Sequence, residues 1–426
     1  ASASCVGGYY HFTYVQGGAV YSQSNISIND NADVIFSGNE TSATCVDRNS
    51  DFEKYTYVQG GAVYSGADIS INDNADVIFS GNMATATCAG KFYNSDYVQG
   101  GSVYAGGSIS ICNNTSVNFA DNAIDASFTS YEGAHSYYYV QGGAIYSSSY
   151  NSLVDISNNG DVSFTGNSIK VNIGDYDTFE YGGSAICASG DLRINNNSAV
   201  EFSGNYAEIT DENGYSTDQG SAIYASRNLE ISGNESVVFR NNGGYAIEQG
   251  YGTMKLSAKT GGHITFYDGL YSRGTAQLNA DYLDANGQLQ KATGDIIFSG
   301  TLNTNGVYVS ESSTMGETTL HGGTLQVVDN AHLSFFGAFS TVAGSGARVL
   351  LRDGYLYGYS SSTSYRAIIS SGTSLEVSGH SFAACLTLAT GSSLVVNLDE
   401  SHLAKAALTT WSNGLSIENI NLCVNM

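Results

Sequence analysis

The strongest constraint on this chain is a sequence unit that returns six times within its first 250 residues. Residues 16–39 form the first copy, and residues 59–82 repeat it with few changes. One phenylalanine in every copy marks the interval, which is 37 to 45 residues. A unit of this length cannot bury its apolar face alone, so successive copies must stack on one another.

Three kinds of position recur, and each suggests a structural role. The phenylalanines should point inward and stack; they are Phe36, Phe79, Phe119, Phe164, Phe202 and Phe239. The asparagines three residues later should lie at corners and hydrogen-bond to neighbouring copies; they are Asn39, Asn82, Asn122, Asn167, Asn205 and Asn242. Paired glycines with a small following residue fit a bend or a close backbone approach, and the complete form is Gly17, Gly18 and Ala19, then Gly60, Gly61 and Ala62, then Gly142, Gly143 and Ala144.

Apolar and polar residues alternate within each copy, as Ile26 and Ile28 or Val34 and Phe36 illustrate. This period of two is typical of β-strands, and Asn, Asp, Gly and Ser fill the links between them. We therefore predict an all-β chain that folds as a right-handed single-stranded parallel β-helix, a solenoid. Each copy is expected to make one or two coils, with two favoured. A β-propeller of similar period is rejected because the chain has a single Trp and its copies decay gradually.

The pattern divides the chain into two regions. Residues 1–250 are predicted to form a regular β-helix with the six repeats. Residues 251–426 keep strand-like segments and are interpreted as an irregular continuation of the β-helix with a C-terminal capping region. Residues 403–410 are the candidate for a short capping helix, since a solenoid end needs a polar cover.

Composition narrows the partners of the chain. It carries 15 Lys and Arg against 39 Asp and Glu, which gives a net charge of −24. Because a surface this acidic repels phosphate backbones and anionic lipid heads, we expect no nucleic acid and no membrane surface as a partner. No apolar run approaches the ~18 residues of a membrane span, so membrane insertion by this segment is not expected. Proline is absent, which suits strands that have neighbours on both sides.

The seven cysteines include no Cys-x-x-Cys pair, so zinc and thioredoxin-like sites are not expected. Cys5, Cys45 and Cys88 precede their glycine pairs by similar distances and should lie on one side of the stack. If each copy makes two coils, these residues are about 9.6 Å apart, twice the strand spacing, which is too far for disulfides. At least one of the seven thiols must be unpaired within the chain, and buried, structural cysteine is the expectation.

The combination of Gly-Gly-Ala-(Val/Ile) with Phe-x-x-Asn resembles the chlamydial-type polymorphic membrane proteins and related autotransporter passenger domains. The glycine motif is complete at residues 17–20, 60–63 and 142–145, and Phe-x-x-Asn is intact in all six copies. The resemblance covers about residues 14–250. It implies a β-helical passenger that is secreted or displayed at the bacterial cell surface, exposed at the outer membrane, and acts as an adhesin and virulence factor.

The residues offer little for catalysis or for a cofactor. Asp33 and Asp76 recur at a turn, where an acidic residue is more often a turn former than a catalyst. The seven histidines show no short metal-ligand spacing, so we assign no catalytic, cofactor-binding or metal residue and do not expect an enzyme. The acidic segment 29–33 lacks the glycine and distal glutamate of a calcium loop, and weak Ca²⁺ binding is the one alternative left open.

Two classes of function remain from the sequence. The first is an adhesin that contacts a host-cell or matrix protein, a glycan or another environmental ligand through loops and Tyr-rich faces. Its candidate contact loop carries Tyr137, Tyr138 and Tyr139, and a row of tyrosines, whose direction the pattern does not fix, consists of Tyr21, Tyr64, Tyr104, Tyr146 and Tyr224. A structural surface-coat or fibre-forming solenoid that self-associates is a close alternative. The second class is a polysaccharide-active enzyme on the same scaffold, which would need a carboxylate pair in a groove.

Overall fold

The structure is a computed structural model. It describes all residues except 6–10, 48–53, 91–93, 131–136, 175–177, 212–215, 219, 303–307, 310–311, 359–365, 399–406, 411–414, 418 and 426. Every regular element among the described residues is a β-strand. This confirms the predicted all-β class, since strands of 2–8 residues follow one another along the chain.

The first 27 strands belong to coils that contain up to five strands each. They are β1 (Ser2–Cys5), β2 (His11–Gln16), β3 (Val20–Ser22), β4 (Ile26–Asn29), β5 (Asp33–Ser37), β6 (Glu40–Asp47), β7 (Lys54–Gln59), β8 (Val63–Ser65), β9 (Ile69–Asn72), β10 (Asp76–Ser80), β11 (Met83–Gly90), β12 (Asn94–Gln99), β13 (Val103–Ala105), β14 (Ile109–Cys112), β15 (Ser116–Ala120), β16 (Ala123–Ser130), β17 (Tyr137–Gln141), β18 (Ile145–Ser147), β19 (Leu153–Ser157), β20 (Asp161–Thr165), β21 (Ser168–Ile173), β22 (Thr178–Gly182), β23 (Ile186–Ala188), β24 (Asp191–Asn195), β25 (Ala199–Ser203), β26 (Tyr206–Asp211) and β27 (Ser216–Asp218).

The remaining strands belong to shorter coils with three strands each and a few added hairpins. They are β28 (Ser221–Ala225), β29 (Leu229–Ser232), β30 (Ser236–Arg240), β31 (Tyr245–Gln249), β32 (Thr253–Ser257), β33 (His263–Phe266), β34 (Gly269–Ser272), β35 (Thr275–Leu278), β36 (Tyr282–Leu283), β37 (Leu289–Gln290), β38 (Asp295–Ser299), β39 (Thr301–Leu302), β40 (Tyr308–Val309), β41 (Ser312–Met315), β42 (Thr318–Leu320), β43 (Thr324–Val328), β44 (His332–Phe335), β45 (Phe339–Thr341), β46 (Arg348–Arg352), β47 (Tyr355–Tyr357), β48 (Ala367–Ile369), β49 (Ser374–Ser378), β50 (Ser381–Ala384), β51 (Leu386–Leu388), β52 (Ser393–Asn397), β53 (Leu408–Thr409), β54 (Leu415–Ile417) and β55 (Asn421–Asn425).

The strands pair as a parallel β-helix, as predicted. Three sheets have 13 strands each, and their orders begin β3-β8-β13, β4-β9-β14 and β5-β10-β15. A seven-stranded sheet, β1-β6-β11-β16-β21-β26-β27, and a five-stranded sheet, β2-β7-β12-β17-β22, add to the early coils. The pairs β26–β27, β36–β37 and β39–β40 are antiparallel hairpins.

One repeat makes one coil, so the favoured interpretation of two coils is wrong. Five strands, β3 to β7, pass before β8 pairs with β3 in register, Val63 beside Val20. The variable segment between motifs contributes β6 and β7 to the same coil instead of closing a second coil. The estimated separation of the cysteines was therefore also wrong: Cys45 lies on the strand between those of Cys5 and Cys88, in register with both.

By compactness the chain forms two units: residues 1–193, 201–226 and 241–248, and residues 194–200, 227–240 and 249–426. In the second unit, residues 403–406 of the predicted capping helix lie outside the described residues. Leu408 and Thr409 of that segment form β53, which pairs with β50, so the helix prediction is wrong there.

The repeated phenylalanines point inward and stack, as predicted. Within the first unit, Phe79, Phe119, Phe164 and Phe202 are fully buried, while Phe36 in the first coil is partly exposed. Neighbouring ring centroids lie 4.7–5.0 Å apart with nearly parallel planes. In the second unit the rings of Phe239, Phe266 and Phe298 stack at 5.0 Å. In-register parallel strands impose this spacing, because it is the distance between neighbouring strands.

The repeated asparagines form the predicted ladder. Asn122 Nδ2 donates to Asn167 Oδ1 at 3.0 Å and to the Phe79 carbonyl oxygen at 2.9 Å. Asn122 Oδ1 accepts from the backbone N–H and the Nδ2 of Asn82. A second ladder, which the sequence pattern did not reveal, contains Asn31, Asn74, Asn114 and Asn159 in the first unit. Each ladder thereby satisfies backbone groups at a corner where the strands end.

We expect Asn122→Ala to lower the free energy of unfolding by about 3 kcal/mol, because it leaves buried backbone groups of Asn82 and Phe79 unsatisfied. Asn39→Ala is the matched control, since Asn39 is partly exposed and only donates to Asn82 Oδ1. That change should cost about 1 kcal/mol or less. Denaturant titration of both variants measures the difference, and equal losses would contradict the ladder as a source of stability.

Candidate binding surface

The five-stranded sheet presents an aromatic outer face, and its sequence explains why. Its strands end in Tyr-Val-Gln in four successive coils. The valines are buried, at 0–4% exposure; they are Val15, Val58, Val98 and Val140. Because successive side chains of a strand point to opposite faces, the preceding tyrosines point outward. We call this set the outer tyrosine row; it consists of Tyr14, Tyr57, Tyr97 and Tyr139.

The outer tyrosine row is closely stacked. Consecutive ring centroids are 4.8, 4.8 and 4.7 Å apart, with planes within 7° of parallel. Beside it, the rings of Phe12 and Tyr55 stack at 5.0 Å, and Phe12 lies 6.4 Å from Tyr14. Each ring in the row therefore covers the face of its neighbour, so ring edges and phenol hydroxyls form the accessible surface.

Exposure varies along the row, and burial raises the pKa values of three of its tyrosines. Tyr14 is 56% exposed, and the other three rings are partly buried. Burial, with a smaller contribution from neighbouring tyrosines, raises the pKa of Tyr57 to about 12. Burial also raises the pKa values of Tyr97 and Tyr139, with a smaller effect of Glu180, whose strand position lies in register beside Tyr139. The hydroxyls of Tyr57, Tyr97 and Tyr139 therefore keep their protons at physiological pH and are able to donate hydrogen bonds.

The structure corrects the predicted contact loop. Tyr137, Tyr138 and Tyr139 lie in β17, not in a loop, while residues 131–136 lie outside the described residues. Tyr138 is 1% exposed and stacks on Phe128 at 4.0 Å, so it belongs to the core. Tyr137 is 46% exposed and Tyr139 continues the outer tyrosine row, so only these two reach the surface.

The tyrosine row whose direction the sequence did not fix is largely covered. Tyr64, Tyr104 and Tyr146 are only 5–8% exposed, with ring centroids 5.0 and 5.6 Å apart, while Tyr21 in the first coil is 51% exposed. Beside them runs a glutamine ladder, Gln16, Gln59, Gln99 and Gln141, linked by amide hydrogen bonds of 2.8–3.0 Å. The tyrosines that follow the glycine motifs pointed to this buried row, and the outer row was not predicted. The recurring Tyr-Val pair, with a valine two residues before each glycine pair, was the available signal.

The inner face of the same sheet carries a buried carboxyl group. Asp96 is 1% exposed and occupies the register position that Thr56 fills in the preceding coil. Burial raises the pKa of Asp96 to about 7, against a smaller lowering by the Thr56 hydroxyl. The other titratable groups that act on it are the thiols of Cys45 and Cys88. Both thiols are buried, as expected, and the pKa of Cys88 is raised by its hydrogen bond with Cys45 and then by burial.

We expect Asp96→Thr to stabilise the protein at pH 8 and to have a much smaller effect at pH 4. Between the pKa of an unfolded aspartate, about 3.9, and about 7 in the fold, only the unfolded state loses the proton. The free energy of unfolding of the wild type should therefore fall as pH rises through this window, and the variant removes that slope. Urea titrations at both pH values test this, and a pH-independent difference would contradict it.

Two of the surface grooves of the second unit are lined by described residues that include ionisable side chains. One, of about 670 Å³, is lined by Asp281, Lys291, His321 and a loop at 342–345. Asp281 and Lys291 form an ion pair at 2.7 Å, and burial lowers the pKa of His321. The other, of about 200 Å³, contains Glu235 and Asp284. Both of these carboxylates are engaged, the first by Lys259 at 2.9 Å and the second by backbone N–H groups of its own turn.

Two kinds of feature were looked for among the described residues: clusters of metal-ligating side chains and membrane-spanning helices. Within those residues, no three His, Cys, Asp or Glu side chains are grouped to hold a metal ion. In the turn at 29–33, Asn31 is part of the second asparagine ladder, and Asp30 has a φ of 60°, as Asx residues in tight turns often do. The same described residues contain no helix long and apolar enough to cross a membrane.

A scan against protein-family models and searches of curated proteins and of solved structures returned no match to this chain.

Proposed function

We propose that this chain is an adhesin of the autotransporter passenger type, secreted or displayed at a bacterial cell surface, and that the outer tyrosine row is its contact surface. The observation that supports this is the row itself: four tyrosines held at 4.7–4.8 Å on a regular sheet. Tyrosine provides large contact area with little loss of side-chain entropy, and stacking restricts these rings further. The repeat resemblance to polymorphic membrane proteins supports the same class.

The geometry favours a ligand that forms hydrogen bonds. Because the ring faces cover one another, a sugar or side chain meets ring edges and phenol hydroxyls rather than an open aromatic platform. The acidic chain, with a net charge of −24, favours a neutral or basic partner over an anionic one. A matrix protein, a host-cell protein or a neutral glycan has these properties.

The test is binding of the intact chain to an array of matrix proteins and glycans. A double variant, Tyr57→Ser with Tyr97→Ser, should lose at least about tenfold in affinity for any ligand that the wild type binds, about 1.4 kcal/mol. Ser27→Ala with Ser70→Ala alters the outward-facing serines of β4 and β9 and is the control. Circular dichroism confirms that each variant is folded. No bound ligand, or equal binding by the tyrosine variant, would contradict the proposal.

A polysaccharide-active enzyme is the second candidate, and the observation in its favour is the 670 Å³ groove with its Asp281–Lys291 pair and His321. Asp281 is the one carboxylate among the described lining residues, so this enzyme would have to work without a carboxylate pair. Release of new reducing ends from a polysaccharide panel, abolished by Asp281→Asn and His321→Ala, would select this function. A fibre-forming coat protein is the remaining alternative. Polymers seen by electron microscopy at low protein concentration would select it.

A further inference from the structure

The outer tyrosine row places phenol rings of successive coils side by side, so that neighbouring rings are positioned to be joined covalently. We propose that this row is a site of oxidative cross-linking, at which tyrosines of neighbouring coils are joined as dityrosine. Such bonds would tie together the first four coils of the repeat array. Cross-linking needs no ligand, so it stands whether or not this face binds one.

Register and stacking determine which rings can couple. Tyr14 pairs in register with Tyr57, Tyr57 with Tyr97, and Tyr97 with Tyr139. The ring planes of each pair are within 7° of parallel and their centroids are 4.7–4.8 Å apart. Equivalent atoms of neighbouring rings are therefore also about one strand spacing apart. The ortho carbon beside each hydroxyl thus faces its counterpart on the next ring, and rotation of the rings brings the two carbons together.

The reaction balances with a peroxidase and hydrogen peroxide as oxidant. Each of two phenols loses one electron and the proton of its O–H bond, which gives two phenoxyl radicals. The radicals couple through one new carbon–carbon bond between their ortho carbons. Each of these carbons then loses its hydrogen, which restores the ring and the phenol O–H. The two electrons and two protons removed in total reduce one hydrogen peroxide to two water molecules.

A second row of stacked tyrosines in the same chain differs from the outer row in its accessibility to an oxidant. The buried row of Tyr64, Tyr104 and Tyr146 has similar ring spacings, 5.0 and 5.6 Å, but these rings are only 5–8% exposed. An enzyme-bound or dissolved oxidant should therefore reach the outer row first. Tyr55 lies in register beside Ser95 in the next coil and stacks on Phe12 of the preceding one, and neither of these residues is a tyrosine. Cross-links are thus expected between outer-row neighbours.

The experiment treats the full-length chain with a peroxidase and hydrogen peroxide, digests it, and identifies joined peptides by mass spectrometry. We expect linked peptides that contain Tyr14 and Tyr57, Tyr57 and Tyr97, or Tyr97 and Tyr139, each lighter by two hydrogen atoms. The yield per chain should not depend on protein concentration, and the thermal midpoint of the oxidised protein should rise. Failure to form dityrosine, or links that join separate chains and vanish on dilution, would overturn the proposal.

A matched pair of variants locates the site. Tyr57→Phe with Tyr139→Phe keeps the stacked rings but leaves no two neighbouring tyrosines in the outer row, so most of the dityrosine should be lost. Tyr104→Phe breaks the buried row instead and should leave the yield unchanged. If the yield falls in Tyr104→Phe and not in the double variant, the buried row is the reactive one and the assignment is wrong.

Discussion

Gly100→Ala is expected to cost at least about 4 kcal/mol of stability, one of the two largest losses that we expect for a single substitution. Gly100 has a φ of +64°, and a Cβ there would lie 2.3 Å from the carbonyl oxygen of Val103. The left-handed conformation costs a residue with a side chain about 1–2 kcal/mol. The clash adds more than the 1–3 kcal/mol that is common for an overpacked core, because a backbone group must move.

Gly81→Ala separates the two causes. Gly81 has a φ of +59°, but a Cβ added there meets no atom within 4 Å. Its substitution should therefore cost only the conformational term of about 1–2 kcal/mol. Thermal and denaturant unfolding of both variants measures the contrast. If Gly100→Ala unfolds with the same midpoint as Gly81→Ala, the close approach to Val103 is not what requires glycine.

Phe119→Ala is expected to cost about 3–5 kcal/mol, the usual range for removing a large buried aromatic side chain. Phe119 is fully buried, and its ring stacks on Phe79 at 4.7 Å and on Phe164 at 5.0 Å. The substitution leaves a cavity between two rings that strand pairing holds about two strand spacings apart, so the neighbours cannot close it. The free energy of unfolding from urea titration gives the loss.

Phe12→Ala is the matched control, because it removes the same side chain from an exposed position. Phe12 is 58% exposed and stacks on Tyr55 at 5.0 Å on the outer face of the five-stranded sheet. Its loss should be about 1 kcal/mol, the scale of an aromatic contact at the surface. A loss near that of Phe119→Ala would mean that stacking along the surface, not burial, is the main source of stability.

The sequence predicted the inward phenylalanines and the asparagine ladder because each follows from local chemistry. An alternating strand has one apolar face, and a repeated asparagine beside a turn needs partners that only its counterparts in other coils supply. The number of coils per repeat was predicted wrongly because the variable segments, such as residues 40–56, lack the glycine and Phe-x-x-Asn motifs that mark the copies. Nothing in their local pattern indicates whether a strand extends one coil or begins another.

The candidate binding surface was predicted only in part. Tyr137 and Tyr139 were named, but Tyr138 is buried and the outer tyrosine row was overlooked. The alternation of side chains along a strand indicates that Tyr97 and Val98 point to opposite faces of the sheet. It does not indicate which of the two faces is covered. In the structure, β6, β7 and the equivalent strands of the other early coils form two additional sheets. These sheets enclose a second core, which covers the valine side of the five-stranded sheet and leaves the tyrosine side exposed. That core includes Ala86, Cys88, Val98 and Tyr138.

The sequence by itself determined that this chain is all-β, that it repeats with one Phe-x-x-Asn motif per unit, and that it is strongly acidic. These properties follow from residue type and spacing, which act over a few neighbouring positions. Only the tertiary structure decided that a repeat is a single coil and which tyrosines are exposed. Both depend on the pairing of residues about 40 positions apart, where each strand takes its register from the preceding coil.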